Sequence, residues 1–214
     1  MIRRDFRVYV LSLPRCFSSA TTGVLEKLGV NVIHTSEEPQ RRKRMQEQHK
    51  KKLGEYVPNE HFYEITTNQF KSWQRVVNTP YSGCKVILPS GVSGMIWGMI
   101  RSRPSRIIIM NRNPEEIRQS QQAFYKGDEF NTPEQAEMRR AYFRTCMAQA
   151  EVTCERELDI EYMVLNARDL ITNPGPTIED IARFIDAPND IDEAVESIDP
   201  TKYRFKIEDL VMDI

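Results

Sequence analysis

The chain has 214 residues, 40% of them apolar, with 30 Lys and Arg against 31 Asp and Glu and a formal net charge of −1. That length fits one domain, residues 1–214, with a sizeable core, and apolar residues mixed with both charge signs exclude a disordered chain. The charge balance argues against a protein dedicated to nucleic acid, which needs a large positive excess, and no apolar run approaches a membrane span.

Taken in chain order, Arg7 to Leu13 is a compact apolar run suited to a buried strand. Ser18 or Ser19 is placed to cap a helix whose apolar side runs through Val24, Leu25 and Leu28, with Gly29 closing it. Asn31 to Thr35 reads as a second strand. Residues 40–53 are strongly basic, with Arg41, Arg42, Lys43, Arg44, Lys50, Lys51 and Lys52 against Glu47. Phe62 to Val77 has helical spacing through Ile65, Phe70 and Trp73, and Cys84 to Leu88 is a third strand ended by Pro89.

The most apolar strand is Arg106 to Met110, followed by Pro114 opening a helix that bears Ile117, Ser120 and Phe124. Thr132-Pro133-Glu134-Gln135 combines a threonine cap, a proline in the first position and a glutamine at the capping-box position, and that helix is expected to reach about Glu157. Glu161 to Leu165 is a fifth strand, and Thr177 to Ile185 a further helix. Strands alternating with helices imply a parallel, helix-covered sheet. No signal-peptide core opens the chain. Cys16, Cys84, Cys146 and Cys154 show neither zinc spacing nor a C-x-x-C pair, so reduced thiols and a cytoplasmic location are expected.

Two segments carry the chemistry. Leu13 to Ser19 and Asn111 to Ser120 each follow an apolar strand and open a helix, the arrangement in which helix N–H groups meet phosphate. A Walker-type loop needs Gly-Lys-Ser/Thr, which does not occur. A cysteine phosphatase needs an arginine at the far end of the loop that starts at Cys16, where Thr22 stands.

The segments resemble those of the sulfotransferase family, enzymes that use 3′-phosphoadenosine 5′-phosphosulfate (PAPS) and release 3′-phosphoadenosine 5′-phosphate (PAP). Pro14, Arg15, Ser18 and Ser19 match the family's P-[RK]-S-G-[TS]-[ST], and Leu28-Gly29 falls at its usual helix end. Arg112-Asn113-Pro114 and Ser120 match its R-[ND]-P with a serine eight residues after the arginine. Between Val164 and Ile185, Arg168-Asp169-Leu170 and Asn173-Pro174 are similar to its E-D-L-x-x-[DN]-P stretch. The resemblance implies an α/β fold of three layers, helix, sheet and helix, around a central, mainly parallel sheet of about five strands, similar to P-loop NTPases.

It also implies the site. Pro14, Arg15, Cys16, Phe17, Ser18 and Ser19 correspond to the loop around the 5′-phosphosulfate, Arg112 and Ser120 to the 3′-phosphate site, and Arg204 to a residue closing over the nucleotide. Lys85, followed by Leu88-Pro89, resembles the family's K-x-x-L-P element beside the reacting group. No metal is implied. Phe17 stands where the family has its loop glycine and Cys16 where it has serine, so a loop of different shape or a phosphosulfate seated further out is expected. Cys16 at a helix N-terminus could carry a lowered pKa, yet a small loop residue is the plainer role.

Sulfuryl transfer to a hydroxyl needs a general base. Family members with K-T-H-L-P have a histidine where Ile87 stands; other branches use a glutamate soon after the second strand, where Glu37 and Glu38 lie. Glu37 is the first candidate, Glu38 the second and His34 the third, although by ordinary pKa His34 is better poised. The basic run is ordinarily a solvated face; next to the proposed base it suits an anionic small-molecule or glycan acceptor. The rival readings are a PAP-binding protein that has lost turnover, and an anion- or nucleic-acid-binding module using residues 41–52.

Overall fold

Arg7–Ser12 (β1) is buried along its whole length and forms the centre of a parallel sheet. The computed structural model describes residues 6–33, 47, 64–65, 83–87, 94–125, 132–158, 160–187 and 190–202. After β1 come α1 (Ser18–Lys27), β2 (Glu64–Ile65), β3 (Gly83–Ile87), α2 (Gly94–Arg101), β4 (Ser105–Asn111) and α3 (Pro114–Tyr125). They are followed by α4 (Pro133–Val152), β5 (Tyr162–Asn166), α5 (Ala167–Thr172), α6 (Pro174–Phe184) and α7 (Asp192–Glu196).

The sheet order is β2-β3-β1-β4-β5, with every pair parallel. The path from β1 moves toward β3, whereas the paths from β3 to β4 and from β4 to β5 move the other way. Right-handed crossovers therefore put α1 on one face of the sheet and α2, α3 and α4 on the other, giving the expected three layers. No helix among the described residues is long and apolar enough to cross a membrane.

Four of the five expected strands form. Of the expected strand Asn31–Thr35, the described residues make one bridge, Val32 to Gly83. The reason is competition for an edge: β2 pairs with β3 at Lys85 and Val86, so the 31–33 segment meets only the start of β3. There Gly83 is required for space, because a Cβ would lie 2.7 Å from Val30 Cγ1. The helical reading of Phe62–Val77 is overturned at Glu64–Ile65, which extend the sheet; the remainder of that segment is outside the described residues.

Helix boundaries follow local chemistry. The cap of α1 is Phe17, not Ser18 or Ser19, because a left-handed turn at Phe17 starts the helix at Ser18. Its end is as expected: Gly29 takes φ 77 while Val30 N–H reaches the Leu25 carbonyl and Gly29 N–H that of Glu26, both at 2.9 Å. Thr132 and Gln135 complete the capping box of α4, which passes into a π-helical segment, Thr153–Leu158, at the expected end. Helix α6 starts at Pro174, three residues before the expected Thr177, because Asn173-Pro174 supplies the start.

At the amino end of the sheet Arg106 ties four elements together. It donates to Glu161 and Asp186, each at 2.6 Å, and to the Phe184 carbonyl at 2.8 Å, and lies 4.1 Å from the Phe6 ring centre. Near the carboxyl end, Glu115 locks α3 to α4. Its carboxylate accepts from Arg118 Nη2 at 2.5 Å, Arg140 Nη1 at 2.8 Å and Gln119 Nε2 at 3.2 Å.

The Arg118 hydrogen bond, helped by Arg140 and Gln119 and opposed by partial burial, holds the Glu115 carboxyl down to about 2. A carboxyl depressed on folding stabilises the protein above its unfolded pKa, and the contribution fades as pH falls through its folded value. Glu115→Gln is therefore expected to cost on the order of 2 kcal/mol at pH 7 and to flatten the loss of stability between about pH 5 and pH 2. Chemical denaturation at a series of pH values measures this; an unchanged acid limb would refute the assignment.

Candidate functional site

The loop from β1 to α1 must reverse direction within five residues, Leu13 to Phe17, and it does so with two left-handed residues. Arg15 has φ 75 and Phe17 φ 62 with ψ 13. Such backbone costs a non-glycine residue about 1–2 kcal/mol. The loop therefore makes at Phe17 the left-handed turn that glycine adopts most easily. Phe17 cannot cap with its side chain; its carbonyl instead accepts from Ala20 N–H at 3.0 Å and Thr21 N–H at 3.2 Å. Its ring packs against the core.

The side chains of this loop divide. Cys16 points inward and is fully buried in the core. Burial pushes its thiol up to about 12, despite the opposing pull of the nearby Arg112 charge and of a hydrogen bond with the Leu13 backbone. Full burial and the raised pKa disfavour a nucleophilic thiolate and fit a small loop anchor. Ser18 is buried as well, its carbonyl accepting from Thr22 Oγ1 at 2.6 Å. Pro14, Arg15 and Ser19 are half-buried at the surface of the loop.

Arg15 and Ser19 each bond to a side chain of another element, Ser120 of α3 and Lys85 of β3. Arg15 Nε donates to Ser120 Oγ at 3.0 Å, across 105 residues of sequence. Ser19 Oγ accepts from Lys85 Nζ at 2.9 Å. Lys85 stands beside Val10 in the sheet and is only 4% exposed, so its charge acts from a desolvated position. On the α1 face Thr21 Oγ1 donates to Met110 Sδ at 3.0 Å, and at the end of β1 the buried Ser12 hydroxyl has no hydrogen-bond partner among the described residues.

The second loop is joined to the first by Arg112. Its Nη1 donates to the Arg15 carbonyl at 2.8 Å and its Nε to Glu116 Oε2 at 2.9 Å. The Arg112 and Glu116 side chains are each 3% exposed, and the Arg112 guanidinium carbon lies 5.8 Å from the Phe17 ring centre. Ser120, also buried, is thus held by Arg15 rather than by Arg112.

Arg15, Ser19, Lys85, Arg112 and Ser120 are accordingly brought to one end of the sheet, at the carboxyl ends of β1, β3 and β4. His34, Glu37, Glu38 and Arg204 lie outside the described residues. Glu116 is a site residue that motif matching passed over; its signal in the sequence is its position four residues after Arg112, one helical turn away.

The connections leaving β1 and β4 run in opposite directions along the sheet, and such a crevice is where open α/β sheets bind ligands. Mouse sulfotransferase SULT7A1 complexed with PAP matches 93% of this chain and 67% of its own, at 12% identity and a TM-score of 0.52. This chain has a sulfotransferase-like fold. Sulfotransferase STF9 from Mycobacterium avium matches 92% of the chain and 67% of its own, at 13% identity and a TM-score of 0.50. An unliganded sugar kinase from Janibacter sp. HTCC2649 matches 88% of the chain and 98% of its own at 13% identity, with a TM-score of 0.42, too distant to bear on the fold. No family model and no curated protein sequence matches the chain.

A buried thiol with a raised pKa is inert in the native state. Cys16 is expected to react with iodoacetamide at pH 8 roughly a hundredfold more slowly in the folded protein than in the denatured chain. Peptide mapping by mass spectrometry reads this, and rapid native labelling of Cys16 would contradict the inward orientation.

Proposed function

We propose that this chain is a sulfotransferase that moves a sulfuryl group from PAPS to a hydroxyl or amine acceptor, releasing PAP. The observation that carries the reading is the meeting of the two phosphate-type segments, with Arg15 Nε on Ser120 Oγ at 3.0 Å and Arg112 Nη1 on the Arg15 carbonyl at 2.8 Å. A nucleotide with phosphate groups at two ends suits a donor set of arginines, a lysine, serine hydroxyls and helix amides gathered at one sheet end. The unpartnered Ser12 hydroxyl, buried at the end of β1, agrees with a polar ligand site there.

PAPS supplies the sulfuryl group, which forms its new bond to the acceptor as the bond to the 5′-phosphate oxygen breaks. In this reading Arg15 and Lys85 face the charge that accumulates on that oxygen, and the desolvated position of Lys85 strengthens its effect. Arg112 and Ser120 hold the 3′-phosphate, which shares the guanidinium with Glu116 and the Arg15 carbonyl. Glu37 takes the acceptor proton, with Glu38 and then His34 as the next choices. The basic run 41–52 recruits an anionic acceptor, small molecule or glycan, so that acceptor affinity falls as salt rises. The reading also places the chain in the cytoplasm.

A second reading, a PAP-binding protein without turnover, is favoured by Ile87, which stands at the end of β3 where K-T-H-L-P members have histidine.

Calorimetry of PAP against adenosine 5′-monophosphate tests the nucleotide. Arg112→Ala is expected to weaken PAP at least about tenfold more than it weakens the monophosphate, since any loss of loop support is common to both and only PAP carries the 3′-phosphate. Equal losses would remove the assigned role. For the base, Glu37→Gln is expected to lower kcat about a hundredfold or more with little change in PAP affinity. Unchanged turnover would transfer the role to Glu38 or His34, and absence of turnover in the parent protein with any hydroxyl acceptor would favour the second reading.

A further inference from the structure

Arg15 and Phe17 both hold left-handed backbone without being glycine. Such residues keep that conformation only where their surroundings over-determine it. Arg112 contacts both of them: Nη1 donates to the Arg15 carbonyl at 2.8 Å, and the guanidinium lies 5.8 Å from the Phe17 ring centre. Arg112 is itself held in place, because Nε donates to Glu116 Oε2 at 2.9 Å inside a pair that is almost wholly buried. Glu116 leaves α3 one turn beyond Arg112, so its carboxylate takes one edge of the guanidinium and directs Nη1 at the loop.

We propose that Glu116, acting through Arg112, does for this phosphate loop what a glycine would do without help: it keeps Arg15 and Phe17 left-handed. Glu116 is a positioning residue. A buried ion pair is a weak source of net stability but can select one conformation over another. Here the selected conformation is the one that turns β1 into α1 and brings Arg15 to Ser120. The consequence for nucleotide affinity rests on the PAPS reading above; the consequence for loop shape does not.

The test is a double-mutant cycle of E116Q and F17G in the full chain, read by backbone chemical shifts of residues 14–20 in NMR spectra. E116Q is expected to move the Arg15 and Phe17 shifts away from left-handed values. F17G/E116Q is expected to keep the residue 17 and Ser18 shifts of F17G alone, because glycine adopts the turn unaided, while Arg15 moves as in E116Q. Unmoved shifts in E116Q, or equal displacement of residues 17 and 18 with and without F17G, would overturn the proposal. E116D keeps the charge and withdraws it by one methylene. It is read by the same criterion, and it decides the matter where E116Q does not accumulate as folded protein.

A PAP titration of the same four proteins supplies a second arm. A loop populated one part in ten binds about tenfold more weakly. E116Q is therefore expected to weaken PAP about tenfold or more in the parent background and by a smaller factor in the F17G background, where only Arg15 is released. PAP binding to none of the four would defeat the nucleotide reading while leaving the chemical shifts to decide the positioning role.

Discussion

Because β1 pairs in parallel with β3 on one side and β4 on the other, the carboxyl ends of three strands emerge side by side. Strands in such a sheet lie about 5 Å apart, which is within the reach of one long side chain. Residues far apart in sequence then meet by construction: Arg15 after β1, Lys85 within β3, and Arg112 with Ser120 after β4. Chain direction completes the arrangement, since the paths leaving β1 and β4 diverge and keep the crevice between them from being filled by a connection. The apolar runs that make the strands are thus also what gathers the cations.

Glycine is the usual residue for a left-handed turn, and the loop between β1 and α1 makes one with phenylalanine. The backbone cost at Phe17 is about 1–2 kcal/mol. Burying a phenylalanine side chain contributes about 1.5–3 kcal/mol when complete, and the Phe17 ring is packed against the core. The ring is partly buried, so it offsets part of the backbone cost and leaves the rest to its neighbours. Cys16 works in the same direction: its side chain joins the core between the two left-handed residues and anchors the loop from below. The buried pair of Arg112 and Glu116 then addresses the loop from the side. With phenylalanine at the turn, the shape of the loop rests on its neighbours and not on a flexible backbone.

Much of the fold was legible because its signals are local. The runs of β1, β3 and β4 are apolar enough to have no alternative to the interior, the apolar run of β5 is enough to pair at the sheet edge, Gly29 could close α1 because only a positive φ is asked of it, and the Thr132 capping box is complete within four residues. The failures are non-local. Asn31–Thr35 has strand composition, but β2 already occupies the edge beyond Gly83. Glu64–Ile65 lies in a stretch with helical spacing, and pairing with β3 overrides that spacing. Helix α2 was not read at all, and its two glycines, Gly94 and Gly98, are poor helix formers.

The sequence by itself determined the alternation of strands and helices and the residue types of the loops after β1 and β4, because hydrophobic period and loop composition are properties of neighbouring residues. It named Arg15, Lys85, Arg112 and Ser120 one at a time. Which of them touch was decided only by tertiary structure: Ser120 accepts from Arg15, Lys85 is bound to Ser19, and Arg112 divides its guanidinium between Glu116 and the Arg15 carbonyl. Those partnerships depend on strand order and on the direction of each crossover. A strand's own residues do not encode its neighbour, so only the assembled sheet could make that choice.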